Sequence, residues 1–389
     1  MVRKTGVYHT TVAGGEKIRA FIPHPLPPKK PVLRIEGDLA EQHRSALAAI
    51  ERLDVASAMV PSQEWFLYGF VRKEAVVSSQ IEGTQSTLED VLAFELNHQA
   101  HDLADVEEVC NYVEALNYAR TQLGSKRGLP LSQRLICEVH KRLMKGVRGS
   151  EKHPGKIRIS QNWIGGTRPG NAKFVPPPPG TLPELLADLD KWLHSDDRLP
   201  PLVKAGLAHV QFETIHPFLD GNGRMGRLLV TLLTEHWKLL SGPFLYVSLG
   251  FKRHRQEYYQ RLDAVRSDGD WEGWAEFFLR CVLESAVDGA NAAQRLFRLV
   301  NDDRRTLTNL NSVTVSAIRL FELLPEQPMV TAQKAIEMVG GTKPTINKAI
   351  AALVEAEILE EITGKQRDRI YAYRNYLNVL GEDTESLLE

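Results

Sequence analysis

The sequence is poor in cysteine, because its 389 residues include only Cys110, Cys137 and Cys281. The three lie far apart in apolar segments with a helical pattern. We therefore expect neither a disulfide framework nor a zinc cluster, and we predict that the three side chains are buried thiols.

Long apolar runs are also lacking. No stretch approaches the roughly 20 consecutive apolar residues that cross a bilayer, and the N-terminal sequence MVRKTGVYHTTVAGGEKIRAF lacks the apolar core of a secretory signal. We therefore expect a soluble, cytoplasmic protein with no membrane partner. The formal net charge of −1 removes any global electrostatic argument for nucleic-acid binding and leaves only a local basic face as an option.

What the chain does contain is enough ordinary globular sequence for two or three structural units. The segment before Leu39 is rich in glycine, proline and charge, and we predict that it forms an arm on the surface. From Leu39 onward, apolar residues spaced three and four apart predict successive helices. Between 158 and 180, Gly-Gly and Pro-Gly pairs before a proline run predict a hairpin within the helical region.

After about residue 309 the pattern changes to three short helices followed by two alternating strands around Thr-Gly, which is the outline of a winged helix. The predicted fold class is mainly α, with a β-hairpin in the core and a winged helix at the C-terminal end. We predict three units, an N-terminal arm and helical segment (1–110), a helical core (111–308) and a winged-helix domain (309–389).

The stretch from His216 to Arg227 reads HPFLDGNGRMGR and lies between two predicted helices. Two glycines flank Asn222, so the backbone can point successive N–H groups at one spot. That spot is the N-terminus of the helix that begins near Asn222, where unpaired amides and the helix dipole favour an anion. The pattern predicts a phosphate-binding turn.

Charged side chains in the same stretch extend this prediction. Arg224 and Arg227 lie three residues apart on the helix and can contact further phosphate oxygens. Asp220 can hold Mg²⁺ against the phosphates, and His216 can take the proton of an attacking hydroxyl. The alternative is a glycine-rich interhelical turn with a capping aspartate and solvated arginines, but such a turn does not require all of these groups together.

These residues resemble the signature of the Fic family, His-Pro-Phe-x-Asp/Glu-Gly-Asn-Gly-Arg-x-x-Arg, at every specified position. The resemblance implies a Fic-type helical core with a β-hairpin flap, and transfer of AMP from ATP, with Mg²⁺, to a hydroxyl side chain of a target protein. It implies that His216 is the catalytic base and Asp220 the Mg²⁺ ligand. The implied nucleotide-binding positions of this stretch are Asp220, Gly221, Asn222, Gly223, Arg224, Gly226 and Arg227.

A second stretch, SSQIEG at 78–83, ends a long predicted helix. Gly83 suits a helix C-terminus, which places Glu82 where the dipole disfavours a negative charge unless a cation lies nearby. An exposed glutamate is the alternative. The stretch resembles the inhibitory motif of Fic proteins, Ser/Thr-x-x-x-Glu-Gly/Asn. That likeness implies that Ser78 braces the helix, and that Glu82 pairs with Arg227, takes the place of the ATP γ-phosphate and keeps the enzyme self-inhibited.

The hairpin predicted over 158–179 resembles the Fic flap, which aligns the target segment by strand addition. By the same resemblance, Lys173 and Phe174 cover the nucleotide and Tyr258 lies beside its adenine. A surface hairpin and a core tyrosine are the alternatives.

In the winged-helix outline, one helix and the strand pair would present polar and basic residues to a groove. Four nearby glutamates offset much of this positive charge. DNA binding is therefore only one option, and target recruitment, dimerisation or a structural role are the others. The residues concerned are Thr342, Lys343, Thr345, Asn347, Lys348, Lys365, Arg367 and Arg369, opposed by Glu355, Glu357, Glu360 and Glu361.

The sequence thus predicts a protein adenylyltransferase that uses ATP and Mg²⁺ and modifies Ser, Thr or Tyr hydroxyls of a target protein or of the chain itself. Two alternatives stay open. One is a nucleotide-sensing DNA-binding regulator, and the other is a hydrolase in which Glu82 positions water to remove AMP from a modified target. A homodimer is a further candidate assembly.

Overall fold

The helices of the computed structural model follow the apolar spacing of the sequence. The structure describes residues 3–13, 15–59, 63–97 and 102–385, and the predicted mainly α fold is confirmed. Within those ranges, none of the helices has the length and apolar character that a bilayer span requires. The helices are α1 (Gly37–Ala58), α2 (Gln63–Ile81), α3 (Leu88–Asn97), α4 (Leu103–Gly124), α5 (Gln133–Leu143), α6 (Leu182–Leu193), α7 (Pro201–Ile215), α8 (Asn222–His236), α9 (Ser248–Arg253), α10 (Arg255–Ser267), α11 (Trp271–Thr308), α12 (Val315–Leu323), α13 (Ala332–Val339), α14 (Lys343–Glu355) and α15 (Arg374–Leu380).

Helix α7 lies in the middle of the core, since every residue from Leu202 to Ile215 is buried. It packs against α8 and α11, and α11 also packs along α1. A helix that is buried on all sides carries apolar residues around its circumference, whereas α8 carries them at spacings of three and four. The buried apolar residues of α8 include Met225, Leu228, Leu229, Leu232 and Leu233. The α7–α8 turn is therefore fixed at both ends by packed helices.

The N-terminal segment is more ordered than predicted. Strands β1 (Gly6–Ala13) and β2 (Glu16–Pro23) form an antiparallel hairpin within the segment that was predicted to be a surface arm. The side-chain carboxylate of Glu16 pairs with Arg168 and accepts a hydrogen bond from the Gly170 amide at 2.7 Å. The backbone amide of Phe21 donates to Val175 O at 2.9 Å. The hairpin thus packs against the segment that was predicted to be the flap.

The segment over 158–180 reverses direction as predicted, but with little strand structure. Ile164 and Phe174 form a single antiparallel β-bridge, and a 3₁₀ turn spans Pro169–Asn171. Gly165 has a φ of +68°, in the left-handed region that favours glycine. The prolines after Val175 have no N–H to donate, which prevents the bridge from extending into a ladder.

The C-terminal helices α12, α13 and α14 are accompanied by three short antiparallel strands. These are β3 (Met329–Val330), β4 (Glu360–Glu361) and β5 (Tyr371–Ala372), in the order β3-β5-β4. This arrangement is compatible with the predicted winged helix and adds β3 and α15, which were not predicted. The division of the chain at 110 and 308 stays a prediction.

The last described residues return to the end of α2. Gln80 Nε2 donates to Thr384 O at 2.8 Å, and Lys252 Nζ donates to Gln80 Oε1 at 2.7 Å and to Asp383 O at 3.0 Å. Arg255 Nη2 donates to Ile81 O at 3.1 Å. The C-terminal end therefore contacts α2 two residues before Glu82.

The three cysteines are free thiols. Cys281 on α11 is buried as predicted, whereas Cys110 on α4 and Cys137 on α5 are half-buried. Burial raises the pKa of the Cys281 thiol above its ordinary value, which favours the unreactive protonated form.

Candidate active site

A cavity of about 780 Å³ lies where the α7–α8 turn, the end of α2 and the 158–165 segment meet. Its wall contains residues from both of the motifs in the sequence, together with residues that neither motif includes. Among the lining residues are Glu82, Lys152, Trp163, His216, Asp220, Gly221, Asn222, Gly223 and Arg224. Two stretches more than 130 residues apart in the sequence therefore meet at one site, as the numbering of Glu82 and His216 shows.

The turn itself is held by the side chain of Asn222. Asn222 Oδ1 accepts from the Phe218 amide at 2.9 Å, and Asn222 Nδ2 donates to Phe218 O at 2.9 Å. Gly221 precedes the helix with a φ of +73°, which a side chain would strain. The turn thus engages both the oxygen and the nitrogen of the Asn222 side chain, and the backbone amide of Asn222 is a further donor for a ligand.

The first turn of α8 offers free backbone donors. Its first helical hydrogen bond runs from the Met225 amide to Gly221 O at 3.0 Å. The amides of Asn222, Gly223 and Arg224 precede that bond and have no protein acceptor among the described residues. Together with the positive end of the helix dipole they form an anion site on the cavity wall.

His216 ends α7 with a backbone φ of +49° and presents its ring to the cavity. Its Nδ1 lies 3.3 Å from the carbonyl oxygen of Glu213, which can only accept, so Nδ1 carries the proton and Nε2 is the free base. Burial, followed by the charge of Arg158, lowers the pKa of His216 to about 4. At neutral pH the ring is uncharged and able to take a proton.

Arg158 holds the end of α7 and was not singled out from the sequence. Its Nε donates to His216 O at 2.9 Å and its Nη2 to Pro177 O at 2.6 Å. The guanidinium is buried and forms no ion pair with a described residue, so its charge meets the carbonyls and negative dipole end of α7. It links the α7–α8 turn to the proline run that follows Val175.

His140 on α5 packs against the α7–α8 turn, and it too was not singled out from the sequence. Its ring stacks on Phe218 with centroids 3.7 Å apart. Its Nδ1 accepts from the Gly155 amide at 2.9 Å, so Nε2 carries the proton and donates to Asp220 O at 2.9 Å. Burial lowers its pKa to about 4, which keeps the ring neutral in this supporting role.

Asp220 is the only acidic residue of the turn. Its Oδ1 accepts from the Gly221 amide at 2.7 Å, and its Oδ2 forms an ion pair with Lys152 Nζ at 2.9 Å. Burial alone would raise the pKa of Asp220, but Lys152 and the Gly221 amide outweigh it and lower the pKa below its ordinary value. The described residues contain no cluster of three or more metal-ligating side chains. A single carboxylate beside a phosphate site nevertheless suits Mg²⁺, which takes its remaining ligands from water and phosphate.

The two arginines of the motif are both buried and already paired. Arg224 Nη1 forms an ion pair with Glu108 of α4 at 2.7 Å, and Glu108 also contacts Arg148 at 3.4 Å. Arg227 Nε donates to Ser78 Oγ at 2.9 Å, and its Nη2 donates to Ser78 O at 2.9 Å and to Glu82 Oε1 at 2.7 Å. Burial raises the pKa of Glu108, although the two arginines oppose that rise.

Glu82 lies just past the end of α2, and Gly83 after it has a φ of +103°. A β-carbon at position 223 would collide with Glu82 Oε1, so this carboxylate rests against the first turn of α8. Burial alone would raise the pKa of Glu82, but Arg227 outweighs burial and lowers it. Glu82 therefore places a negative charge where the α8 amides favour an anion.

Several of the predicted nucleotide contacts do not line the cavity. Lys173 is exposed, and Phe174 is buried with the guanidinium of Arg266 3.9 Å from its ring centroid. Tyr258 is buried in the core, where its hydroxyl lies 2.9 Å from His209 Nε2 and its ring stacks on Phe251 at 4.7 Å. Gly226 faces Glu213 on α7 and does not line the cavity.

Comparison with protein families agrees with this geometry. Residues 40–121 match the Fic/DOC family N-terminal model, and residues 130–234 match the Fic/DOC family model. This chain belongs to the Fic family. The second match contains the whole α7–α8 turn, and the first contains the segment that carries Glu82.

Curated relatives include proteins named Protein adenylyltransferase Fic. The one from Drosophila grimshawi is 29% identical over 253 residues, which cover 64% of this chain and 47% of the relative. The one from Drosophila willistoni is 30% identical over 250 residues, which cover 63% of this chain and 45% of the relative. The chain thus spans about half the length of the curated relatives it matches.

Solved structures share the fold. A Fic family protein from Desulfovibrio desulfuricans has a TM-score of 0.52 at 23% identity and covers 85% of this chain and 95% of its own. A Fic domain containing signaling protein from Bacteroides thetaiotaomicron has a TM-score of 0.52 at 19% identity and covers 64% of this chain and 97% of its own. The Fic-type helical core predicted from the motif is therefore confirmed.

Proposed function

We propose that the chain is a protein adenylyltransferase that transfers AMP from ATP to a hydroxyl side chain of a target protein, or of itself, and releases pyrophosphate. The observation that carries this proposal is the position of His216. A neutral imidazole with a free Nε2 lines the same cavity as the unpaired amides of α8. An anion-binding helix end beside a general base is what a nucleotidyl transfer to a hydroxyl requires.

In the proposed reaction the amides of Asn222, Gly223 and Arg224 hold the phosphates of ATP. The proton of the target hydroxyl moves to His216 Nε2, and the hydroxyl oxygen forms a bond to the α-phosphorus. The bond from that phosphorus to the oxygen that bridges to the β-phosphate breaks, and the electron pair leaves with pyrophosphate. His140 and Arg158 keep the two ends of the turn in place through the carbonyls of Asp220 and His216.

Asp220 is the residue that would hold Mg²⁺, since it is the one carboxylate of the turn and lies on the cavity wall. When bound, the ion neutralises charge on the phosphates. Lys152 Nζ pairs with Oδ2 of Asp220. Both side chains are partly exposed, so this pair can open without uncovering a buried charge.

We further propose that the chain rests in a self-inhibited state. Glu82 pairs with Arg227 at 2.7 Å and lies against the first turn of α8. A carboxylate at this position competes with the outer phosphates of ATP for the same donors. Its displacement would open the site for a productive triphosphate.

The test is incubation of the protein with ATP labelled at the α-phosphate, followed by detection of label on protein. General-base catalysis contributes about 10² to 10⁴, so His216→Ala is expected to lose a factor of that size. His9→Ala is the matched control, because His9 is exposed on β1 and does not line the cavity. Unchanged labelling by His216→Ala would remove the proposal.

The structure bears differently on the two alternative functions, DNA binding and hydrolysis of the AMP bond. A cleft of about 930 Å³ in the C-terminal region is lined by three cations, Lys343, Arg367 and Arg369, and two anions, Glu361 and Asp368, an excess of one positive charge. That excess is too small for a strong phosphate-binding surface, so we do not propose DNA binding. The hydrolase alternative retains Glu82 on the cavity wall, and it predicts loss of label from a modified target that depends on Glu82.

A further inference from the structure

Behind His216, one face of α7 carries titratable side chains that the proposed reaction does not use. His209, Glu213 and His216 follow one another at spacings of four and three, so they lie along one stripe of the helix. Gly226 of α8 faces this stripe. A β-carbon at position 226 would lie 2.6 Å from Glu213 Oε1 and 3.2 Å from His209 Nδ1.

Glu213 is the unusual member of the stripe. Its side chain is only 9% exposed, and its Oε1 accepts no hydrogen bond from any described residue. Its Oε2 lies 3.8 Å from Nδ1 of His216, the ring nitrogen that does not serve as base. A buried carboxyl oxygen without a hydrogen-bond partner destabilises the fold. A functional role beside His216 would explain why a carboxyl occupies this position.

The charged and titratable groups around Glu213 come from α7, α8, α10 and the residue that follows α2. Arg227 of α8 and Arg266 of α10 favour its ionised form, whereas Glu82 beyond α2 disfavours it. His209 of α7 and Tyr258 of α10 lie nearby as neutral groups, since burial holds each of them in its uncharged form. Burial is the largest influence and raises the pKa of Glu213 to about 7, with Glu82 adding to the rise and the two arginines opposing it.

We propose that Glu213 is a positioning residue for His216 whose carboxylate offsets the positive charge that the ring acquires when it takes the hydroxyl proton. This inference rests on the proposed adenylyltransferase function. The proton moves from the hydroxyl oxygen to Nε2, the Nδ1 proton stays on the ring, and Glu213 accepts no proton in this step. The other charges that act on the ring are those of Arg158 and Arg266, which lower the pKa of His216, and that of Glu82, which raises it and is absent from the Glu82→Gly chain.

The side-chain carboxylate and the backbone carbonyl of Glu213 have different roles toward His216. The carbonyl of Glu213 holds the Nδ1 proton, so the ring tautomer does not depend on the carboxyl group. Replacement of the carboxyl by an amide should therefore leave the ground-state ring in place. It should slow only the step in which the ring becomes charged.

The kinetic test is Glu213→Gln in the Glu82→Gly chain, where transfer is not inhibited. We expect kcat at saturating MgATP and pH 8 to fall on the order of tenfold, since one pKa unit of coupling between two groups is tenfold. KM for ATP should change less than twofold. The control is Glu276→Gln, which makes the same chemical change at an exposed position of α11. Equal kcat values with and without the Glu213 carboxyl would overturn the proposal.

The pH dependence of kcat supplies a second measurement. With Glu213 present, kcat should rise with pH to a plateau as the carboxyl ionises. Removal of Glu82 takes away a charge that raises the pKa of Glu213, so this limb is expected somewhat below pH 7. The limb should vanish in Glu213→Gln. In the chain that keeps Glu213, kcat should change within about one pH unit of that ionisation. A kcat that stays constant from roughly pH 5.5 to 8 counts against the inference.

Ring ¹⁵N spectra distinguish failure of this inference from failure of the proposed function. The His216 signal, assigned by its loss in His216→Asn, should shift as Glu213 ionises and should not shift in Glu213→Gln. This readout does not require AMP transfer. If the pH-dependent shift survives in Glu213→Gln while transfer is intact, the inference alone is wrong.

Discussion

Replacement of Glu82 by glycine is expected to raise AMP transfer while lowering stability. Arg227 Nη2 donates to Glu82 Oε1 at 2.7 Å, and hydrogen bonds to charged groups contribute ~1.5–3 kcal/mol. Arg227 is 1% exposed but Glu82 is 34% exposed, so solvent screens one side and the lower part of that range applies. A release of ~1.5–2 kcal/mol corresponds to a rate increase of about tenfold to thirtyfold at saturating MgATP.

The loss of stability has a separate cause. Without Glu82, Arg227 keeps its hydrogen bonds to Ser78 but has no carboxylate in contact, which leaves a buried cation less well compensated. The pKa of Glu82 lies below its ordinary value of 4.5 because Arg227 outweighs the effect of burial. The stabilising contact is therefore present above about pH 4.5 and is lost as pH falls below it, so parent and Glu82→Gly should converge in Tm at low pH.

The assay is incorporation of label from α-labelled ATP, with Tm measured on the same samples. Glu82→Gln keeps the length of the side chain without its charge and should fall between the parent and Glu82→Gly. Glu114→Gln, at an exposed position of α4, should change neither quantity. Addition of His216→Ala should abolish the gain. A Glu82→Gly protein with the parent's transfer rate would refute the reasoning, whatever its Tm.

Three further predictions concern the surroundings of the site. Gln80→Leu removes the hydrogen bonds to Thr384 and Lys252 and should raise transfer about fivefold in the parent but not in Glu82→Gly, measured by the same labelling assay. Lys152→Met frees the Asp220 carboxylate from an exposed ion pair that contributes ~0–1 kcal/mol, so the Mg²⁺ concentration for half-maximal transfer should fall by up to about fivefold; a rise would contradict the pairing. The raised pKa of Glu213 contributes stability that is present below its ordinary value of 4.5 and is lost as pH rises through about 7. Glu213→Gln should therefore gain stability relative to the parent as pH rises from 4.5 to 7, on the order of 3 kcal/mol by urea unfolding, and equal pH dependence of the two proteins would contradict this.

The sequence predicted those parts of the site that lie in continuous stretches. The helix that ends before His216 and the helix that begins at Asn222 follow from apolar spacing and glycine positions, and α7 ends and α8 begins where expected. Gly83 after α2 likewise has the left-handed conformation expected at a helix end. The roles proposed for these residues stay predictions until transfer is measured.

The residues that sequence reasoning missed act across long separations. Arg158, His140 and Glu108 each contact the motif through single side chains, at carbonyls or at a guanidinium. A lone arginine or histidine in a helical pattern carries no periodic signal, and its partner is decided by packing. The one weak signal was Glu108, because Tyr112 and Ala115, four and seven residues further along α4, are apolar and lie on the same face, which enters the core.

The position of Tyr258 and the N-terminal strands have a different physical explanation. Tyr258 was expected beside a nucleotide, but its ring packs among Phe251 and Trp274, because burial of aromatic surface outweighs exposure of one hydroxyl that can pair with His209. The N-terminal hairpin was not predicted, because the glycine and proline content of the segment favours turns and masks the alternation in β2. Its buried and exposed residues do alternate from Ile18 to Ala20, the period that a strand requires.

Exposure decides which contacts a triphosphate can replace, since Lys152, Arg224 and Arg227 each already have an anionic partner among the described residues. The Arg224–Glu108 pair is closed, with side chains 3% and 1% exposed, so opening it would leave a buried charge unpaired. The Arg227–Glu82 pair is different, because its carboxylate is 34% exposed and can move into solvent while Arg227 takes a phosphate oxygen in exchange. Arg224 therefore serves the site mainly through its backbone amide and the fixed charge near it. Arg227 and the α8 amides are the donors that ATP and Glu82 would compete for.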